Sequence, residues 1–254
     1  MITFSEDQLV AWVSPLLWPF LRTLAVFTAA PVLSLRAFPM RAKIGLAFFV
    51  ALAAQPSLDG QPVVSINSSG AAGAVMQQVG VGMAMGFAIR VMFAAVELAG
   101  EVVGFQMGLN FASFFDPTLN TQSSAVSRLF SQMATFLFIV MNGHILLLLA
   151  VVNSFVAFPV DQNFLEALKH IKLYDLGAQL FASGLWISLP MVGMLIFANL
   201  ALGIVSRVAP QMNIFAIGFP VTLTVGLLAI MATLPMLDQA FFALMTRAID
   251  LFSH

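Results

Sequence analysis

The sequence lacks cysteine altogether and carries very little charge. Without cysteine, disulfide bonds, thiolate metal sites and cysteine nucleophiles are excluded. Charged residues make up 8% of the chain, whereas an ordinary globular domain contains about 25%. The net charge is -1 and no run of lysine or arginine occurs, so the chain offers no electrostatic surface to nucleic acid. Nucleic acid is therefore not expected as a partner.

Motifs for catalysis and for cofactor binding are also missing. The sequence contains no His-Glu-x-x-His, no Gly-x-Ser-x-Gly and no phosphate-binding loop. The three histidines are scattered, and His144 lies within an apolar run, where a hydrogen-bonded packing role is favoured over metal ligation. A quinone or electron-transfer subunit would need haem or metal ligands. We therefore assign no catalytic residue, no metal and no cofactor, and we do not expect an enzyme.

Apolar residues dominate what remains. They form 61% of the 254 residues, and the mean hydropathy is +1.00. Runs of about 20 apolar residues can cross a membrane as helices, and the prolines inside them are expected to produce kinks. We predict an all-α, polytopic, membrane-inserted protein of kinked helical hairpins. The runs extend from about Trp12 to Leu35, Ile44 to Ala54, Ala71 to Met107, Ala125 to Phe158, Leu176 to Val205 and Met212 to Leu234, and a final amphipathic piece reaches His254. The run from Ala125 to Phe158 is interrupted by Asn142-Gly143-His144, with an apolar run on each side.

Arg22, Arg90, Glu97 and Glu101 lie well inside these apolar runs. Arg22 is costly against lipid, so we expect it to snorkel or to pair with a neighbouring subunit, and we place a transport role second. Arg90, Glu97 and Glu101 share one stripe of a helix. A proton relay is one interpretation of the stripe. Contact with polar groups of adjacent subunits is the favoured one, because like-charged carboxylates one turn apart need partners.

The stretch from Gly100 to Pro117 combines a helix signal with a helix breaker. Gly100, Gly104 and Gly108 recur every fourth residue and predict a smooth ridge on which another helix can pack closely. The following residues place phenylalanines against an Asp-Pro pair, which disfavours helix. An apolar helix is therefore expected to end in an apolar loop.

Three stretches together resemble the FliR/SctT family of type III secretion export-gate proteins. They are Gly104 to Pro117 (GFQMGLNFASFFDP), Phe138 with Asn142-Gly143-His144, and Leu202 to Phe215 (LGIVSRVAPQMNIF). The resemblance covers essentially the whole chain in length, motif order and spacing, and the Ser-Arg-x-x-Pro-Gln-x-Asn-x-Phe element is specific. The look of the motifs favours the flagellar FliR branch over the injectisome SctT branch.

This resemblance implies a core subunit of the flagellar export gate. Together with several copies of FliP and FliQ, the chain would form the channel for unfolded flagellar proteins, with FlhB around the entrance and FlhA nearby. Residues 1–175 would be FliP-like and residues 176–254 a FliQ-like hairpin with a C-terminal helix. The expected location is the bacterial inner membrane, in the flagellar basal body, with much of the assembled complex above the membrane plane.

The resemblance also assigns residues to roles. A plug loop, residues 108–124, would seal the closed pore, although its phenylalanines could be ordinary core instead. The residues assigned to the plug are Leu109, Asn110, Phe111, Phe114, Phe115, Asp116 and Pro117, of which Leu109 and the three phenylalanines would form the seal. Arg207, Pro210, Gln211 and Asn213 would contact neighbouring subunits. The competing function is a free-standing secondary transporter or ion channel that uses Arg90, Glu97 and Glu101.

Overall fold

The computed structural model describes residues 6–34, 38–58, 64–109, 123–161, 173–211 and 214–252. Within these ranges the chain is helical and contains no strand, which confirms the predicted all-α fold. The helices are α1 (Glu6–Ala29), α2 (Pro31–Ser34), α3 (Met40–Ala53), α4 (Gln55–Leu58), α5 (Ala71–Gln106), α6 (Ala125–Val140), α7 (Gly143–Ala157), α8 (Leu173–Val208) and α9 (Ile214–Asp250).

The long helices follow the apolar runs, with one difference at the C-terminus. The predicted run from Ala71 to Met107 is α5, and the run from Ala125 is divided into α6 and α7 at Asn142, which has a positive φ of 56°. The separate amphipathic piece expected after Leu234 is wrong. Residues 214–250 form one helix with Pro220 and Pro235 inside it, because a proline removes one hydrogen bond and kinks a long apolar helix without ending it.

Among the described residues, three helices are long and apolar enough to cross a membrane. They comprise Ala71–Gln106, Asp175–Val208 and Ala216–Asp250, and the bent pair of α6 and α7 makes a fourth if it is counted as one span. The three differ in how much of their apolar window is buried within the chain: 67% in α5, but 17% in α8 and 28% in α9. Thus α5 is a core helix, whereas α8 and α9 leave most of their apolar surface uncovered by the described parts of the chain.

The chain divides into two compact units, each with a core of its own. Unit 1 comprises Met1–Val91, Ile139–Gly177 and Met245–His254, and unit 2 comprises Met92–Phe138 and Ala178–Leu244. The division at residue 175 into FliP-like and FliQ-like parts concerns likeness to other subunits. Packing within this chain does not test it, and it stays a prediction.

Aromatic side chains fill both cores. In unit 1, where α1 packs against α3, the indole N–H of the buried Trp18 donates to the carbonyl of Val64 at 3.0 Å. In unit 2 the ring of Phe93 makes edge contacts with Phe138 and Phe241, at centroid distances of 5.7 and 5.9 Å. Such pairs contribute about 0.5–1.5 kcal/mol each beyond the area that they bury. Aromatic side chains thus form part of the packed core of each unit.

Candidate functional site

The predicted glycine ridge lies on the second half of α5, in unit 2. A Cβ added at Gly100 would lie 2.8 Å from the Cα of Ser127 and 3.0 Å from the side chain of Phe130. A Cβ at Gly104 would lie 2.8 Å from the Oγ of Ser124. Real Cβ atoms do not approach other atoms so closely, so the first turns of α6 can lie on this face of α5 only because these positions lack side chains.

The end of α5 is held by α9. Met107 is fully buried, and its carbonyl oxygen accepts a hydrogen bond from the hydroxyl of Thr222 at 3.2 Å. Its side chain packs against Gly226, where a Cβ would lie 2.5 Å from the methionine Cγ. Gly108 follows with φ +79°, in the left-handed region that glycine adopts without strain, and it lies against Phe219. The chain therefore leaves α5 at a fixed point and in a fixed direction.

The start of α6 is held by the carboxylates of α5. The backbone N–H of Ser124 donates to Glu101 at 3.2 Å, and the hydroxyl of Ser123 donates to Glu97 at 3.1 Å. The Oγ of Ser124 in turn accepts a hydrogen bond from the N–H of Ser127 at 3.1 Å, as a helix N-cap does. Negative charge beside a helix N-terminus is favourable by about 0.3–1 kcal/mol. The chain therefore enters α6 at a second fixed point.

The predicted plug lies between these two fixed points. Of the residues assigned to the plug, Leu109 is half-buried directly after Gly108. The others, residues 110, 111 and 114–117, lie outside the described residues. Their role stays a prediction, and so does the packing role given to the glycine ridge, although the contacts of Gly100 and Gly104 are of the kind that it requires.

The residues predicted at subunit interfaces have different surroundings. Arg90 is exposed, whereas Glu97 and Glu101 are half-buried and bonded within the chain. Arg207, at the end of α8, is exposed, as are Pro210 and Gln211 in the following turn. Asn213 lies outside the described residues. The interface roles of all these residues stay predictions.

Comparison with known proteins identifies the family. A family model described as "Bacterial export proteins, family 1" matches residues 13–248. The chain belongs to this family. The resemblance found in the sequence is thereby confirmed at the level of the family.

Relatives of this bacterial export protein carry a common name. The chain is 39% identical to the Flagellar biosynthetic protein FliR of Escherichia coli K12 over 237 residues, which are 93% of this chain and 90% of the relative. It is 37% identical to the protein of that name from Pectobacterium carotovorum over 253 residues, 99% and 96% of the two chains. The Bacillus subtilis protein of the same name is 32% identical over 210 residues, 82% and 81% of the two chains.

Arg22 of this export-family chain corrects a sequence prediction. It neither snorkels nor needs a neighbouring subunit, because it is completely buried in unit 1 and bonded within the chain. Its guanidinium donates to Gln78 Oε1 at 2.8 Å, to Ser154 Oγ at 2.9 Å and to the carbonyl of Phe158 at 2.7 Å. The guanidinium carbon also lies 3.7 Å from the ring centroid of Phe155, a cation–π contact.

A second layer of hydrogen bonds surrounds this arginine. Gln78 donates to Gln77 at 2.8 Å, and Gln77 both donates to the carbonyl of Pro159 at 3.1 Å and accepts from the N–H of Asp161 at 2.9 Å. The two glutamines that interrupt the apolar run of α5 are thus explained. Through them the hydrogen-bond network of Arg22 extends to Pro159 and Asp161, which follow α7. A buried polar group is stable only when it is hydrogen-bonded.

Sequence reasoning missed the residues that anchor the two ends of the predicted plug. Ser124 could have been found, because a serine directly before an apolar helix is a typical N-cap. Thr222 and Gly226 could not have been found in this way, because they contact Met107, more than a hundred positions earlier, and no local sequence pattern indicates that contact. In this family member the strongest candidate site is therefore a segment defined by its two anchored ends.

Proposed function

We propose that this chain is a core subunit of the flagellar type III protein export gate in the bacterial inner membrane. With FliP and FliQ it would form the channel through which unfolded flagellar proteins leave the cell. The observation that carries the proposal is the family match across residues 13–248, together with relatives named for flagellar biosynthesis that align over nearly their whole length. The long apolar helices support a membrane location. No step of this function requires a catalytic group.

We further propose that residues 108–124 are the plug of the closed channel. Support comes from the anchored ends: Thr222 holds the carbonyl of Met107, and Glu101 holds the amide of Ser124. A segment whose two ends are fixed can occupy a pore without drifting from it. An apolar constriction excludes water and ions, yet it forms no strong bonds that a passing polypeptide would have to break.

The proposed partners are FliP, FliQ and FlhB, with FlhA nearby. The uncovered apolar surface of α8 and α9 supports this, because protein chains and lipid are the two environments that such surface tolerates. Arg207 at the end of α8 is exposed, as are Pro210 and Gln211 in the following turn, so all three are accessible to a neighbouring subunit. The basal body, with much of the complex above the membrane plane, remains the proposed location.

The alternative of a free-standing transporter has weaker support. Its proposed ion site needs Glu97 and Glu101 open to a passing ion, whereas Glu97 accepts from the hydroxyl of Ser123 and Glu101 from the amide of Ser124. These contacts give both carboxylates a structural role at the start of α6. The hydrogen bonds of Glu97 and Glu101 therefore favour the export gate over the transporter.

Purification in mild detergent tests the proposal. We expect the tagged chain to co-purify with FliP and FliQ from cells that express all three, because its apolar surfaces need partners. Deletion of the chain should abolish secretion of flagellar proteins, and the wild-type chain should restore it. A stable monomer that transports a small solute, or secretion that continues without the chain, would contradict the proposal.

A further inference from the structure

One face of α5 in unit 1 is left uncovered at regular intervals. The side chains of Met76, Met83 and Phe87 are 58%, 53% and 47% exposed, and Arg90 is exposed as well. With the half-buried Gly80, these positions follow one another at steps of four, three, four and three residues. This is the heptad spacing by which one helix packs along another. We call these five residues the α5 seam.

Over residues 81–90 the other faces of α5 are covered by the chain itself. Between residues 81 and 90, the seam positions 83, 87 and 90 are exposed, and all seven other positions are buried. The seam borders a groove of about 330 Å³, with Ala29 of α1 on one side and Ala84 in its lining. The regular spacing matches an α-helix packed along α5, whereas lipid chains impose no such period.

The charge at the end of the seam specifies the chemistry of the occupant. Among the described residues, Arg90 has neither a hydrogen bond nor an ion pair, and it stands within a 36-residue apolar helix. A guanidinium in such surroundings requires an acceptor, and a carboxylate matches its planar fork of donors best. The mostly apolar seam with one cation is therefore complementary to an apolar helix with one acidic side chain.

A lipid headgroup fits the position of Arg90 less well. α5 continues from residue 90 to residue 106, a further 16 residues, or about 24 Å at 1.5 Å per residue. It also extends for 19 residues, about 28 Å, in the other direction. If α5 is centred in a hydrocarbon core of about 30 Å, Arg90 lies near the midplane, about 15 Å from either headgroup layer.

We propose that the α5 seam is the docking site for an apolar helix of another export-gate subunit, and that this helix carries an aspartate or glutamate opposite Arg90. Gly80 lets the two backbones approach closely, and the methionines adapt to the partner's side chains. The proposal rests on the proposed function, which supplies the neighbouring subunits. It adds the face that is used and the chemistry of the partner.

Charge substitutions at Arg90 test the partner's chemistry. In cells that lack the native chain, we expect Arg90→Glu to lower both recovery of the co-purified complex and flagellar secretion at least about tenfold, because like charges would then face each other. Arg90→Lys should keep most of both, since it keeps the charge. Arg247→Glu, which reverses another exposed arginine outside the seam, should behave as wild type. An Arg90→Glu variant that assembles and secretes normally would overturn the proposal.

Selection for restored motility in the Arg90→Glu strain then identifies the partner residue. We expect suppressors that replace an aspartate or glutamate by lysine or arginine in an apolar helix of another export subunit. A photoreactive amino acid at Met83, with Arg90 intact, provides a readout that does not depend on the variant folding. A cross-link to an export subunit is expected, and cross-links to lipid alone would overturn the proposal. If the wild-type chain itself fails to restore secretion, the proposed function fails instead.

Discussion

Gly100 and Gly193 both lie inside long apolar helices, but their surroundings differ. A Cβ at Gly100 would lie 2.8 Å from the backbone of Ser127, whereas a Cβ at Gly193 would meet nothing within 4 Å. Backbone cannot move aside as the end of a flexible side chain can, so alanine at position 100 must push α6 away from α5. Alanine at position 193 only improves helix propensity.

We therefore expect opposite results from the same substitution at these two glycines. Gly100→Ala should destabilise unit 2 by about 1–3 kcal/mol, the usual cost of overpacking. Gly193→Ala should be neutral or stabilising by up to about 1 kcal/mol. The unfolding midpoint in detergent, followed by circular dichroism, measures both. Equal effects at the two positions would show that the ridge is not a packing surface.

At the scale of elements, the sequence was most informative where structure is local. The run that became α5 and the interruption at Asn142 were predictable, because helical periodicity and breakers act over a few residues. The continuity of α9 was not predictable, because the local sequence around Pro220 and Pro235 does not show whether a proline kinks a helix or ends it. The partners of Arg22 were not predictable either, since they lie 56 to 136 positions away.

The same limit applies to the candidate site. The close contacts at Gly100 and Gly104 were predictable from the spacing of these glycines, and the end of α5 was predictable from the helix breaker that follows it. The loop expected after Leu109 lies outside the described residues and stays a prediction. The anchors were not predictable, because Thr222 meets Met107 only through the packing of α9 on the end of α5. Local sequence thus indicates which segment is unusual, and tertiary contacts define where its ends are held.

Arg22 joins three elements of unit 1, and its replacement should loosen all of them. Arg22→Met removes the guanidinium that donates hydrogen bonds to Gln78 on α5, to Ser154 on α7 and to the carbonyl of Phe158. Because these buried acceptors would lose their donor, we expect a loss of at least about 2 kcal/mol in the free energy of unfolding. Arg22→Lys should be intermediate, because a compact ammonium keeps the charge but not the fork of donors.

The exposed Arg247 provides the matched control for Arg22. Arg247→Met should change the free energy of unfolding by no more than about 0.5 kcal/mol, as surface substitutions usually do. The measurement is the unfolding midpoint of the purified protein in detergent. A variant at position 22 as stable as the control would mean that the buried network contributes nothing to the packing of α1, α5 and α7.

At the scale of the whole molecule, the chain has a buried helix and two largely uncovered ones. α5 has 67% of its apolar window buried, against 17% in α8 and 28% in α9, and both units leave apolar faces without a covering element among the described residues. A chain with such surfaces belongs in an assembly or in lipid. We therefore propose that the chain is one part of a channel, and that residues 108–124 close this channel as its plug.

The conductance of the reconstituted complex tests this account most directly. Complexes of the chain with FliP and FliQ would be placed in planar bilayers, with the wild-type chain or with the Phe114→Ala and Phe115→Ala double variant. Because a seal of this kind depends on apolar bulk, we expect the wild-type complex to be closed to ions and the variant complex to conduct while retaining all its subunits. A variant complex that assembles fully and remains as closed as wild type would contradict the account.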